Sequence, residues 1–495
     1  MLKLKDKGKL FKGREQALRE FKTLVRHKIQ MTNKGSIRSI IKAATVLFSF
    51  IVLLTSSCAT KMNYDDFSDF SLDTIILSGD EKYLNESSDY IFNQKTLHTF
   101  ELNIPLKDLK QIDSDPVAEL YVAAKLKFNG ETISPVGIRY KGSIGAFVGA
   151  VSGNDWGNPT GYKTATKISM KIKIDWIDST KTFYGLKKLQ FHSQNLDPSQ
   201  MHERLGYWLY REMGVVAPRS VHARLVINGV YHGVYALTEQ IDEQFIAHNF
   251  KDGSGNLYKE VWPLNYLGQA QEESHFLDHL KTNKKTKLCP TIIKTFADSI
   301  VKANNTELRQ LIINRMNLNQ ILAYAMIDQM IRNDDGAFHW YCLNEVCDNH
   351  NYYWYEEPTT QKLHLIPWDL DIAFENIGYG KRAVTRVHNV WGETSNNCEP
   401  FPSYAKGFNQ KSAACDKLTS GWVSFKQEYD SLKTVFNRGP FSEELVYKKV
   451  DEWSEQIRVA TKHASEIHKD AINEEDWNKA LNNLKGELRH SRLDY

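Results

Sequence analysis

The alternation of apolar and polar positions divides the chain into a strand-rich first half and a helical second half. From Leu97 to about Ile241 strand signals dominate. Residues 99–104 alternate, and runs at 120–128 and 136–140 follow, with Asn129-Gly130 between them. Runs at 223–227 and 231–237 flank Asn228-Gly229. Asn-Gly between apolar runs predicts a tight hairpin, because both residues tolerate positive φ. Met170, Ile172 and Ile174 alternate with Lys171 and Lys173, so a strand there carries both lysines on one face. One helix interrupts the strands. Asp197-Pro198-Ser199 caps a helix predicted from about Gln200 to Met213, ended by Gly214.

After Gln244 helical spacing takes over. Leu318, Ile321, Leu322 and Ala325 share a face behind an Asn317 cap, and 443–462 and 477–489 read as amphipathic helices. Strand patterns return at 351–355 and 363–366. The predicted class is α+β: a strand-rich first lobe over 96–242, a helical second lobe over 243–495, and a cleft where they meet.

The first 57 residues have a different character. Residues 1–30 are polar and basic, and Met31 opens a second, better-formed start, so the preceding stretch is expected to lie outside the working gene. Lys34, Arg38 and Lys42 precede a twelve-residue apolar run, 43–54, which ends in Thr55-Ser56-Ser57-Cys58. Twelve residues are few for a membrane span but suit a signal-peptide core. Small residues before a cysteine resemble a bacterial lipobox, so Cys58 is expected to be lipidated, with 58–95 as a tether from a bacterial envelope membrane. Residues 1–57 hold 13 basic and 3 acidic side chains, which leaves the rest with 50 against 57, a net of −7. That sign argues against a general nucleic-acid partner. Export into an oxidising compartment makes Cys342/Cys347 and Cys398/Cys415 the expected pairs, with Cys289 left over. No cysteine has the spacing of a structural zinc site.

Candidate chemistry concentrates between Arg332 and Asp371. Asn333-Asp334-Asp335-Gly336 follows the predicted long helix, Asn351-Tyr352-Tyr353-Trp354-Tyr355 begins a strand, and Ile366-Pro367-Trp368-Asp369-Leu370-Asp371 ends the next. Carboxylates among aromatics need a partner, and hard oxygens suit Mg²⁺ or Mn²⁺. In the first half, Arg139 and Lys141 lead into Gly142-Ser143-Ile144-Gly145, a small-residue turn able to cradle phosphate. Taken singly, that turn reads as an ordinary hairpin, and Lys171, Lys173 and Glu203 as solvated charges. Their order along the chain is more telling: glycine turn, strand lysine, helix glutamate, a hinge at 237–242, an Asp turn, an Asn and a strand-end Asp. This is the order in which a bilobal kinase presents its parts.

At these residues the chain resembles the CotH kinase family, named for a bacterial spore-coat protein. The carrying segments are 136–143 (VGIRYKGS), 169–175 (SMKIKID), 197–199, 211–219, 227–242, 255–259, 351–358 (NYYWYEEP) and 366–374 (IPWDLDIAF). The resemblance implies an atypical bilobal kinase that moves phosphate from ATP, with Mg²⁺ or Mn²⁺, to Ser or Thr of an envelope or secreted protein. Asp335 matches the catalytic Asp. Asp369, Asn351 and Asp371 match the metal site, with His339 a rival for the Asn position. Lys171 or Lys173 with Glu203 matches the phosphate lysine and its helix partner. Arg139 and Ser143 would cover the phosphates, and Glu239 lies in the hinge of the nucleotide site. The sequence departs from the family's usual Gly-Asn-Ser-Ser turn, and an insertion with Cys342 and Cys347 lengthens the interval from Asp335 to Asn351. The alternative from another class is a surface adhesion protein that keeps this fold without catalysis.

Lipidation gives the first test. Cys58→Ala should release the protein from membranes or stall its processing, as read by cell fractionation. A protein that is cytosolic and retains residues 31–57 would remove the anchor.

Overall fold

The computed structural model describes residues 87–495, except 148, 156, 334, 344–345, 375–397, 403–408 and 495. Cys58, the signal-like segment, most of the tether and Asp334 therefore lie outside the described residues. The architecture is α+β. Seven strands close into a barrel: β1 (His98–Asn103), β2 (Val122–Phe128), β3 (Glu131–Tyr140), β4 (Met170–Lys173), β5 (Lys188–His192), β6 (Ser220–Ile227) and β7 (Val230–Thr238). Their order is β1-β2-β3-β4-β5-β7-β6. Neighbours are antiparallel except β1 and β6, whose parallel pairing closes the ring. Both Asn-Gly turns adopt positive φ at each residue, 50° and 83° at Asn129-Gly130 and 49° and 81° at Asn228-Gly229. β3 begins five residues earlier than expected. The β2–β3 register shifts between Ala124 and Leu126, opposite Pro135, and this bulge admits a residue with no N–H to donate.

The register determines which side chains leave the barrel. Phe100, Leu126, Ile138, Ile172, Phe191 and Leu237 fill the interior. Residues alternating with them point outward, so Arg139, Lys171, Gln190 and Thr238 form one row across β3, β4, β5 and β7. Against this barrel lies the His202–Glu212 helix. Asp197 caps it by accepting from Gln200 N–H (3.0 Å) and His202 N–H (2.8 Å), and Gly214, at φ 73°, ends it. Its Leu205, Leu209 and Tyr210 enter the larger core, with Ile327, Met330 and Trp477. Arg204 is buried beside them. Its guanidinium donates to Gln94 (Oε1 and backbone O), His222 Nδ1 and Gln456 Oε1, over the face of Trp453.

The second half sets helices around a three-stranded sheet. β8 (Leu257–Lys259), β9 (Trp340–Leu343), β10 (Val346–Asp348), β11 (Tyr352–Glu357) and β12 (Lys362–Pro367) follow in the chain, and the central sheet runs β12-β11-β8. The helix Leu318–Met330 carries the expected Asn317 cap, and the last two helices span Glu443–Ile467 and Glu474–Asp494. Cys342 and Cys347 bridge the β9–β10 hairpin, Cys398 joins Cys415, and Cys289 is free and exposed. Among the described residues no helix is long and apolar enough to cross a membrane.

Two stability outcomes follow. The Cys398–Cys415 bridge spans a sequence separation of 17, so replacing both residues with Ser should cost about 3 kcal/mol in urea unfolding. His222 accepts from Arg204 at Nδ1 and so donates Nε2–H to Gln200 O (2.6 Å). Burial, then the Arg204 charge, push its pKa from 6.5 to about 3. The unfolded chain takes this proton below about pH 6.5, and the folded chain takes it only near pH 3. Stability should therefore fall as pH drops from 7 to 4, by up to about 1.4 kcal/mol per unit from this residue. His222→Gln should flatten that slope.

Candidate functional site

Just past the end of β3, Lys141 reaches the end of β12, and the contacts made around it differ from those expected. Glu203, 1% exposed, accepts from His192 Nδ1 at 2.7 and 2.8 Å, not from Lys171 or Lys173. His192 Nε2 lies 2.6 Å from Lys141 Nζ. With its Nδ1–H committed to Glu203, the imidazole receives the Lys141 ammonium at Nε2. Lys141 also sits over the Trp368 ring, whose neighbour in the chain is Asp369. Burial lowers the Lys141 pKa, and the charges of Asp369 and Glu203 oppose that shift. Lys141, His192 and Glu203 thus form one line from the barrel to the helix.

Lys171 instead donates to Gln240 Oε1 at 2.7 Å. Burial pushes its pKa well down, and Lys141, Arg139 and Lys188 add repulsion. Lys173 lies 6.0 Å over the Trp176 ring. Arg139 pairs with Glu119 at 2.6 Å, and the same carboxylate accepts Gly142 N–H. Two of the groups expected around phosphate therefore hold a carboxylate of the chain itself. Ser143 is exposed at the head of the short Ile144–Phe147 helix. Glu239, expected at the hinge of the nucleotide site, has its buried carboxylate forked by Arg219, with Nε at 2.9 Å.

The carboxylate side is built by β11 and β12. Their pairing sets Tyr352 opposite Pro367, so Asn351 and Asp369 flank one end, where Trp368 N–H donates to Asn351 O (3.1 Å). Asn351 Nδ2 donates to Asp335 Oδ2 (2.8 Å) and Asp335 O (2.9 Å), and His350 Nε2 lies 2.7 Å from Asp335 Oδ1. Asn351 is thus brought onto Asp335. His339 is buried in the turn, its N–H on Gly336 O. Asp369 N–H donates to Tyr207 Oη (3.0 Å), while its carboxylate accepts no hydrogen bond from any described residue. Burial raises its pKa, the Lys141 charge lowers it, and Glu203 raises it again. Asp371 contributes its carbonyl to His202 Nδ1 (2.8 Å). Arg332, Asn351, Asp369 and Phe374 all have φ between 51° and 64°. Such strained non-glycine backbone gathers where surrounding structure holds a site in shape.

Among the described residues no three His, Cys, Asp or Glu side chains converge on a closed metal site. The donor set is open: the Asp369 carboxylate and Asn351 Oδ1, which receives no hydrogen bond from a described residue. Two hard oxygens fit Mg²⁺ or Mn²⁺, ions that take their remaining ligands from phosphates and water.

The sequence reading missed His192, because the alternation of β5 lasts only five residues, and it missed Glu260, whose Oε1 accepts Asn351 N–H (3.3 Å). Lys141 was visible as the basic residue before the glycine turn, but not as the partner of the helix glutamate.

Inner spore coat protein H of Bacillus subtilis (strain 168) is 24% identical over 304 residues, covering 61% of this chain and 75% of that protein. Residues 138–493 match the family described as CotH kinase protein. That span begins in β3, ends in the last helix and holds Lys141, His192, Glu203, Asp335, Asn351 and Asp369, so the chain belongs to the CotH kinase protein family.

Proposed function

We propose that the protein is an atypical, bilobal protein kinase, the barrel serving as its N-lobe, which transfers the γ-phosphate of ATP to Ser or Thr of an envelope or secreted protein. One observation carries this reading. Asn351 holds Asp335 with His350 and accepts Trp368 N–H, Asp369 next to Trp368 has a carboxylate with no donor among the described residues, and Lys141, backed by His192 and Glu203, sits over the Trp368 ring. Asp369 and Asn351 would hold a divalent ion, whose charge would offset that of the phosphates. Lys141 presents a cation to the same phosphates, and the histidine–glutamate pair fixes its direction. Asp335 orients the acceptor hydroxyl and takes its proton as the new oxygen–phosphorus bond forms and the bond to ADP breaks. Two disulfides favour an oxidising setting, and the relative's name, a spore coat protein, favours a surface one. A lipid anchor at Cys58 completes the proposed location.

The test is ATP binding and phosphate transfer by the purified chain with Mg²⁺ and with Mn²⁺. Asp369→Ala should abolish transfer and weaken metal-dependent nucleotide binding. Asp335→Asn should keep binding while lowering transfer about 10²-fold or more. If the wild type neither binds ATP nor transfers phosphate with either metal, and both variants keep its cell-surface phenotype, the protein is an adhesion scaffold instead. A second comparison checks the lysine. Lys141→Ala should lower transfer by about 10²-fold or more and Lys171→Ala by far less; the reverse order would return the role to Lys171.

A further inference from the structure

A second lysine reaches this site from the other side of the sheet's aromatic face. Lys259 ends β8, and the register sets it opposite Tyr353 of β11. Paired residues on neighbouring strands share a face. Tyr258, the residue before it, enters the larger core, so Lys259 lies on the opposite face, the one that carries Leu257, Tyr353, Ile366 and Trp368. The Tyr353 and Trp368 rings meet edge to face at 5.9 Å, and Lys141, from the barrel, sits 5.5 Å over the Trp368 ring. The tie to Asp335 is direct. Lys259 Nζ lies 3.1 Å from Glu260 Oε1, the same oxygen accepts Asn351 N–H (3.3 Å), and Asn351 holds Asp335. Glu260, at φ 56°, shares the left-handed backbone of Arg332, Asn351, Asp369 and Phe374.

Stability does not account for this arrangement. The Lys259 and Glu260 side chains are 28% and 33% exposed, and an ion pair so exposed contributes little to folding. Burial is the largest influence on Asp369 and on Lys141, but the Lys259 charge reaches both and lowers the pKa of each. Two ammonium groups therefore repel one another across the site, and Glu260 is the only ion-pair partner of Lys259 among the described residues. A polyanion laid between the lysines would relieve that repulsion.

We propose that Lys259 is a second phosphate-binding cation, which meets the terminal phosphate of a bound polyphosphate, and that Glu260 is its positioning residue. Lys259 is tied through Glu260 to the residue that holds Asp335, whereas Lys141 stands on the barrel side, so Lys259 is the cation on the acceptor side. This rests on the kinase reading for the identity of the ligand, ATP, but the binding itself is separable. In transfer, the bond from the acceptor oxygen to phosphorus forms as the bond to ADP breaks, and the acceptor proton goes to Asp335. Lys259 keeps its own protons and donates N–H to the non-bridging oxygens of the moving group.

ATP, ADP and tripolyphosphate, each with Mg²⁺, would be titrated by calorimetry into the full chain and into Lys259→Met and Lys259→Arg, at a partly exposed position where either side chain fits. Lys259→Met should bind ATP and tripolyphosphate about ten-fold or more weakly, with ADP changed by less than about two-fold, the size of one lost charge-assisted contact. Lys259→Arg, which keeps the charge, should restore most of the difference. The proposal fails if Lys259→Met leaves the ratio of ATP to ADP affinity unchanged, whether both affinities hold or both fall together. It also fails if the wild type binds none of the three. Transfer to a Ser or Thr acceptor is read separately. Lys259-dependent binding of ATP or tripolyphosphate with no transfer upholds the phosphate site and removes the kinase reading. Transfer by the wild type, with an unchanged ratio in Lys259→Met, upholds the kinase and removes this role for Lys259.

Discussion

A buried arginine that meets no carboxylate among the described residues links the parts on which everything else is hung. Arg204 receives its partners from three places in the chain: Gln94 of the lead-in, His222 of β6, and the long C-terminal helix, which supplies Gln456 and the aromatic face of Trp453. An isolated cation in such a place costs several kcal/mol in lost hydration, and neutral acceptors offset that only when the fork is nearly filled. Burial lowers the Arg204 pKa to about 9, so it remains charged at neutral pH. Each of those segments must therefore be in place at once. Glu203 is the next residue in the same helix, so the constraint on Arg204 also aims Glu203 at His192 and, through it, at Lys141.

The line from Glu203 to Lys141 shows how a histidine extends a short reach. Lys141 stands at the end of β3, and the helix glutamate does not touch it. An imidazole bridges them because it donates at one nitrogen and accepts at the other. Held in that tautomer, His192 leaves the positive charge on Lys141, where Asp369 and any phosphate feel it.

Much of this was legible in the sequence, and the losses have physical causes. The Asn-Gly hairpins, the Asp197-capped helix, the Asn317 cap and the strands that end at Asp369 are all local, and local rules found them. Alternation placed Lys171 and Lys173 on one outward face, as observed. It could not reveal that Gln240 would take Lys171, because that contact joins positions 69 residues apart. The same holds for Glu239, whose partner Arg219 is set by the β6–β7 register, and for Glu119, whose carboxylate reaches both Arg139 and Gly142. β5 was missed because five residues with lysine at one end and histidine at the other alternate too briefly to be read. Closure of the barrel was invisible for a related reason: nothing near β1 in sequence announces β6.

That closure has a consequence for how the molecule comes into being. β1 finds one neighbour, β2, within about twenty residues, but its other neighbour, β6, arrives only after some 100 more have been made. Until then β1 keeps an open row of backbone donors and acceptors, and the apolar interior that includes Phe100 is exposed on that side. Pairings between such distant segments are slow to form because a large loop must close first. The half-made barrel is thus the chain's most association-prone state, and a ring completed by a parallel strand is what removes the exposed edge.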